Sequence, residues 1–182
     1  MQSDEQLLAA ARTGDETAFT LLYRRRQGPI YRFALHMSGD PAVAEDVLQE
    51  TFLTLIEQSD RFDAARGPLL SFLYGIARNM VRRRADKNRP QEADESAAEA
   101  AAADDVLADL SRRETIAHVR RAVLNLPRDY REVVVLCDLE GASYEEAALA
   151  LECPVGTVRS RLSRARSLLA QRLEPSFVRS LS

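Results

Sequence analysis

A polar segment in the middle of the chain most constrains what this sequence can fold into. Residues 88–109, NRPQEADESAAEAAAADDVLAD, contain no aromatic residue, and Val106 is the only β-branched residue among them. Residues 91–110 carry seven acidic side chains and no basic one. Such a segment buries little apolar surface and repels itself, so it is predicted to be a flexible linker. The chain of 182 residues is therefore divided into two small units.

The two stretches that flank this linker have the periodicity of helices. In residues 4–87 and 112–173, apolar residues recur every three or four positions, without the alternation typical of half-buried strands. One such stripe follows the turn at residues 39–41 and consists of Ala44, Val47, Leu48, Phe52, Leu55 and Ile56. Asp15 is predicted to cap an earlier helix, and Pro29 to kink it. Another helix is predicted from Leu69 to Arg84.

The second unit contains the pattern of a helix-turn-helix. Ser143 followed by Glu146 is a capping box, which predicts a short helix from Tyr144 to Leu151. After a tight connection, a longer helix begins near Val155 and continues to about residue 173. Its inward face consists of Val158, Leu162, Ala165, Leu169 and Leu173. The predicted fold class is therefore all-α, with two small helical domains joined by a flexible linker, the C-terminal one a helix-turn-helix.

The outward face of the last predicted helix combines small residues with arginines. It carries Gly156, Thr157, Arg159, Ser160, Arg161, Ser163, Arg164 and Ser167. Small side chains allow close approach to a DNA major groove, and arginines bind phosphates or guanine edges. A merely solvated basic face is the alternative. The capping box and the turn favour DNA binding.

A second candidate surface combines aromatic and basic residues in the first unit. The helix over residues 69–84 carries Tyr74 and ends in Arg78, Asn79, Arg82, Arg83 and Arg84, which are predicted to lie on its outer side. The preceding loop offers Phe62, Asp63 and Arg66. Aromatic rings beside arginines can stack and pair with single-stranded nucleic acid. The alternative is that these aromatic residues belong to the core.

The helix predicted over residues 41–58 has an acidic face at Glu45, Asp46, Gln49 and Glu50. Neighbouring carboxylates suggest a metal site, but no Glu-x-x-His pattern accompanies them, so a face for a partner or for solvent is favoured. The sequence contains no phosphate-binding glycine loop and no nucleophile elbow. Cys137 and Cys153 are interpreted as structural. We therefore predict a protein that is not an enzyme and has no cofactor.

Three segments, in this order, resemble the extracytoplasmic-function (ECF) group of bacterial sigma factors in the sigma-70 family. AEDVLQETFLTLIE at 44–57 is similar to region 2.2, and FLYGIARNMVRRR at 72–84 to regions 2.3 and 2.4. Residues 126–169, with SYEEAA followed by PVGTVRSRLSRAR, resemble region 4, the most specific match. The chain has no tryptophan, and Ile56 and Phe72 occupy places where the family commonly has one.

The resemblance implies a domain organisation and a role for each surface. Residues 1–87 would form the region 2 domain, 88–111 the linker, and 112–182 the region 4 domain. Core RNA polymerase, through its β′ clamp helices and β subunit, would contact Glu45, Asp46, Gln49, Glu50 and Leu53. Single-stranded minus-ten DNA would contact Phe62, Asp63, Arg66, Tyr74, Arg78, Asn79, Arg82 and Arg83. The duplex minus-35 element would contact Gly156, Thr157, Arg159, Ser160, Arg161, Ser163 and Arg164.

The resemblance also implies that the protein acts in response to an envelope or environmental stress and is controlled by an anti-sigma factor. A cytoplasmic location is expected, because there is no signal sequence, no membrane-spanning run and no disulfide framework. Tethering near the inner membrane by the anti-sigma factor is left open. Two alternatives compete with a promoter-specificity factor. One is a helix-turn-helix regulator that acts without polymerase, and the other is a helical carboxylate metalloenzyme that uses Glu45, Asp46 and Glu50.

Overall fold

The computed structural model describes residues 2–87 and 108–179, with side chains described except at 108–112 and 174–179. Within those ranges all regular structure is helical and no strand occurs, which confirms the predicted fold class. Most of the predicted linker, residues 88–107, lies outside the described residues. None of the helices in the described ranges is long and apolar enough to cross a membrane.

Eight α-helices follow one another along these two ranges. They are α1 Asp4–Arg12, α2 Glu16–Ser38, α3 Pro41–Glu57, α4 Leu69–Lys87, α5 Ala108–Leu124, α6 Arg128–Val134, α7 Tyr144–Leu151 and α8 Val155–Arg179. A short 3₁₀ turn, Ser59–Arg61, follows α3, and a π-helical turn, Val135–Leu139, continues α6.

Side-chain caps explain where several helices begin. Asp15 accepts hydrogen bonds from the backbone N–H groups of Thr17 and Ala18 at 2.9 and 3.0 Å, which starts α2. The predicted capping box of α7 is confirmed: the Glu146 N–H donates to Ser143 at 3.1 Å, and the Ser143 N–H donates to Glu146 at 2.8 Å. Local sequence therefore sets these helix starts.

Pro29 lies inside α2, and the kink predicted there stays a prediction. Helix α5 begins at Ala108, within the last residues of the predicted linker. The structure corrects the sequence analysis at Ile56 and in the turn after α6. Ile56 was expected in the buried stripe of α3, but its side chain is 54% exposed. It lines a groove of about 470 Å³ with Leu8 of α1 and Phe19 of α2, because these helices do not cover the last turn of α3. The π-helical turn after α6 was also missed.

The two predicted units pack against each other. Their buried apolar side chains form a single cluster that extends from Leu7 in α1 to Ala165 in α8. Helix α4 lies against α7 so closely that a Cβ at Gly75 would be 3.5 Å from the Ala150 carbonyl oxygen. At the end of α2, a Cβ at Gly39 would lie 3.0 Å from Leu124 of α5. The domain boundaries at residues 87 and 112 stay predictions.

His36 makes stability depend on pH at the contact between α2 and α5. Burial, followed by the positive charges of Arg120 and Arg32, holds the pKa of His36 below its usual value of 6.5. The unfolded chain therefore takes up this proton first as the pH falls. We expect the contribution of His36 to the free energy of unfolding to decrease as the pH drops through about 6.5.

Urea unfolding of the unaltered chain and of His36→Gln between about pH 8 and pH 5 measures this contribution. As the pH falls, the free energy of unfolding of the unaltered chain should decrease relative to that of His36→Gln. A difference that is constant over that range would contradict the assignment.

Candidate functional surfaces

The exposed face of α8 contains the residues predicted to contact duplex DNA. Gly156, Arg159, Ser160, Ser163 and Arg164 are exposed. Thr157 and Arg161 are half-buried, whereas Val158, Leu162 and Ala165 are fully buried on the opposite side. The predicted division of α8 into a core face and an outer face is therefore correct.

Helices α6 and α7 hold the arginines of this face. The Arg159 guanidinium lies 5.8 Å from the ring centroid of Tyr144, a cation–π contact that joins α8 to α7. Arg161 pairs with Asp129 of α6 at 2.8 Å. Arg161 and Arg164 also border an open concavity of about 570 Å³, together with Arg128 and Tyr130. This concavity is wide and basic, as a surface for a polyanion would be.

The exposed face of α3 contains all of the residues predicted to contact polymerase. Glu45, Asp46, Gln49 and Glu50 are exposed, and Leu53 is 58% exposed. Arg84 of α4 borders this face, with its Nη2 atom 2.5 Å from Glu50 Oε1 and 3.6 Å from Asp46 Oδ2. An apolar side chain is therefore displayed beside a row of carboxylates.

The residues predicted to contact single-stranded DNA separate into two groups. Asp63, Arg66, Asn79 and Arg83 are exposed, and Phe62 is half-buried. The ring of Phe62 packs 5.6 Å from that of Phe72, centroid to centroid. Asp63 also accepts a hydrogen bond from the Ala65 N–H, which shapes the loop before α4.

The second group, Tyr74, Arg78 and Arg82, was expected on an outer surface and instead faces the other domain. Arg78 is 9% exposed, and its Nε donates to Glu132 of α6 at 3.0 Å. Arg82 donates twice to Glu132, at 2.7 and 2.9 Å, and this hydrogen bonding raises the pKa of its guanidinium. Arg78 is buried and Arg82 is half-buried at the interface, because both are the counter-charges of a carboxylate that has no access to water.

Tyr74 is also buried between the domains. Its side chain is 3% exposed, and its ring lies 5.3 Å from that of Phe33. Burial, with a smaller contribution from Glu140, raises the pKa of Tyr74 well above its usual value. Glu140 binds Arg32 of α2 through two hydrogen bonds, at 3.1 and 2.8 Å. The π-helical turn ends beside this residue.

Sequence reasoning did not single out the carboxylates that hold these groups. Glu132 lies four residues before Leu136, on the buried stripe of α6, and both side chains are fully buried. A charged residue in an apolar stripe signals a buried ion pair. That signal could have identified Glu132, but it could not have identified the arginines as its partners.

The sequence analysis also considered a metal site on the acidic face of α3 and interpreted the cysteines as structural. Within the described ranges, no group of three or more His, Cys, Asp or Glu side chains could hold a metal ion. Arg84 pairs with two of the carboxylates in the metal hypothesis, Asp46 and Glu50. Cys137 is a free thiol, and burial raises its pKa to about 11, so it is a poor nucleophile near neutral pH.

Comparison with known proteins identifies the family of the chain. The Sigma-70 region 2 family matches residues 22–91, and the Sigma-70, region 4 family matches residues 117–169. The chain is 35% identical to the RNA polymerase sigma-H factor of Pseudomonas aeruginosa, over 96% of this chain and 95% of that protein. It is 34% identical to the ECF RNA polymerase sigma-E factor of Escherichia coli, with 95% of each chain covered.

Two solved structures have the same fold. CnrH, in complex with the cytosolic domain of CnrY, matches with a TM-score of 0.73 and 28% identity, over 96% of this chain and 99% of CnrH. The sigma factor RpoE from Bartonella quintana, in complex with the anti-sigma factor NepR, matches with a TM-score of 0.68 and 28% identity. That match covers 86% of this chain and 96% of RpoE.

These matches place the chain in the sigma-70 family. More narrowly, it belongs to the ECF sigma factors. It is a transcription initiation factor and not an enzyme, as the sequence predicted.

Proposed function

We propose that this ECF sigma factor binds core RNA polymerase through α3 and recognises promoter DNA at two separate places. Helix α8 contacts the duplex minus-35 element, and the loop before α4, together with α4 itself, holds the single-stranded minus-ten element. The region 2 domain, residues 1–87, and the region 4 domain, residues 112–182, are joined by a linker at 88–111.

The observation that carries this proposal is the outer face of α8. It is the second helix of a helix-turn-helix, and its exposed side chains are small residues and arginines. A helix of this kind can enter a major groove, because short side chains allow contact with the base edges while arginines pair with phosphates or guanine.

The α3 face supports the binding of polymerase. Four exposed polar residues, three of them carboxylates, lie on the N-terminal side of the exposed Leu53 along α3. An exposed leucine next to charged groups suits a protein–protein contact. We assign this face to the β′ clamp helices, and further contacts to the β subunit.

The proposed minus-ten surface begins with the exposed groups Asp63, Arg66, Asn79 and Arg83, beside Phe62. Its inner part consists of Tyr74 and Arg78, which are buried, and Arg82, which is half-buried and bound to Glu132; separation of the two domains makes all three available. Flipping a base into such a surface costs a few kcal/mol, which stacking and backbone contacts offset. Two modest DNA contacts on one chain strengthen each other through their effective concentration.

We further propose that an anti-sigma factor controls this protein in the cytoplasm. The support comes from the two solved relatives, one in complex with the cytosolic domain of CnrY and the other with the anti-sigma factor NepR. The inducing condition would be a stress that releases the factor from this partner.

Reconstituted transcription tests the proposal. Purified core polymerase and this protein are incubated with genomic fragments, including the region upstream of its own gene, and start sites are mapped. We expect initiation at new sites that depends on the protein. Arg164→Ala should lower this initiation about tenfold, because a single arginine contact to a base or phosphate contributes about 1–3 kcal/mol.

Arg166→Ala is the matched control. Arg166 lies on the same helix and is exposed, but it points about 160° away from Arg164 around the axis and pairs with Asp138 at 2.6 Å. It should retain most of the activity. The absence of both initiation and binding to core polymerase would sink the proposal, and equal losses in the two variants would sink the assignment of the α8 face.

A further inference from the structure

Glu132 of α6 is a carboxylate with no contact to water. Its side chain is 0% exposed, and both of its oxygens are occupied by the guanidinium groups of Arg78 and Arg82 from α4. Arg82 binds it in the two-pronged geometry that also suits a phosphate. A carboxylate in this position cannot stay buried without its counter-charges, because desolvation strongly disfavours a lone ion.

Asp129, one turn earlier in α6, connects the same network to α8. Its Oδ1 atom lies 3.2 Å from Arg82 Nη2, and its Oδ2 atom lies 2.8 Å from Arg161 Nη2. Arginines of the proposed minus-ten surface and of the proposed minus-35 surface therefore share one acidic helix. The two carboxylates occupy the arginines as nucleic-acid phosphates would.

We propose that Asp129 and Glu132 form an internal ionic clasp that holds the free factor closed and masks Arg78 and Arg82 of the proposed minus-ten surface. DNA and the clasp compete for these two guanidinium groups of α4, so the factor binds single-stranded DNA fully only in an open arrangement of its domains. The masking rests on the proposed function, whereas the closure does not.

Two further features support closure at this interface. Arg131 of α6 donates hydrogen bonds to the carbonyl oxygens of Met37, Leu124 and Leu126, so it joins the ends of α2 and α5. The 20 residues between α4 and α5 have a covalent reach of at most about 70 Å, which is long enough for the domains to separate.

Small-angle scattering of the full chain with Glu132→Gln tests the closure. The radius of gyration of the unaltered protein should be near the compact value of about 16 Å at low salt, and larger in about 1 M sodium chloride. Glu132→Gln should be expanded by about a fifth or more at low salt. Glu145→Gln is the matched control, because it removes the same charge from an exposed position in α7 and should remain compact.

A second pair of variants tests the same interface without a change of charge. A Cβ at Gly75 of α4 would lie in ordinary contact with the Ala150 carbonyl oxygen, 3.5 Å away, and we expect a longer side chain to press on α7. We expect Gly75→Ala to remain compact and Gly75→Leu to be expanded, with the helical content of both retained in circular dichroism. If Glu132→Gln loses its helical content, the two Gly75 variants test the closure of the domains in its place.

Anisotropy with a fluorescein-labelled single-stranded oligothymidylate tests the masking. Glu132→Gln should bind this probe about tenfold more tightly than the unaltered chain, because a larger fraction of the molecules is open. Glu145→Gln should bind it as the unaltered chain does.

Each outcome bears on a different part of the inference. A folded Glu132→Gln that stays compact overturns the clasp, as does a Gly75→Leu variant that stays compact. Expansion without tighter DNA binding overturns the masking and leaves the closure in place. If Glu132→Gln is expanded but the unaltered chain fails to start transcription, the closure is supported and only the proposed function is contradicted.

Discussion

A protein carrying Leu53→Asp should bind core RNA polymerase about thirtyfold more weakly than the unaltered chain, or more weakly still. Leu53 is the apolar residue of the proposed α3 face, and its side chain is 58% exposed. The substitution places a carboxylate in the middle of an interface that has to exclude water. Competition binding with a fluorescent sigma factor and purified core polymerase measures the loss.

Ile116→Asp is the control for this measurement. Ile116 is 43% exposed on α5, so the substitution also replaces an exposed apolar side chain with a carboxylate. A surface change of this kind alters free energies by about 0.5 kcal/mol or less, so affinity should change by about twofold at most. Equal losses in the two variants would show that α3 is not the docking face.

Phe33→Ala should lower the free energy of unfolding by about 3–5 kcal/mol. Phe33 of α2 is 0% exposed, and its ring lies 5.3 Å from that of Tyr74 in α4. Removal of the ring leaves a cavity and removes an aromatic contact. Urea unfolding followed by circular dichroism measures the change.

Phe62→Ala provides the comparison. Phe62 is half-buried and packs on Phe72 near the surface, so the loss should be roughly half as large or less. If the two variants lost equal stability, the core would not be centred on α2 and α4 as the structure describes.

Much of the fold could be predicted because local interactions determine it. The caps at Asp15 and Ser143 and the apolar spacing of α8 act within one or two helical turns, so they can be identified from neighbouring residues. The predicted exposure of the α3 and α8 faces was correct for the same reason. Apolar residues on one stripe require that the opposite stripe face outward.

The failures occurred where a distant part of the chain determines the outcome. Ile56 continues the apolar stripe of α3, but no element within residues 2–87 and 108–179 covers it. Arg78 and Arg82 follow the pattern of a solvent-exposed basic end, but α6 supplies a buried carboxylate that binds both at the interface between the domains. Helix propensity and periodicity contain no information about such partners.

The sequence by itself determined the helices, their capped ends, the helix-turn-helix and the family to which the chain belongs. Only the tertiary structure decided that two of the expected minus-ten arginines lie against Glu132, a residue 54 positions from Arg78 along the chain. The physical reason is the range of the interactions. Hydrogen bonds and apolar spacing within a helix depend on near neighbours, whereas a buried ion pair depends on which surfaces the packed core brings together.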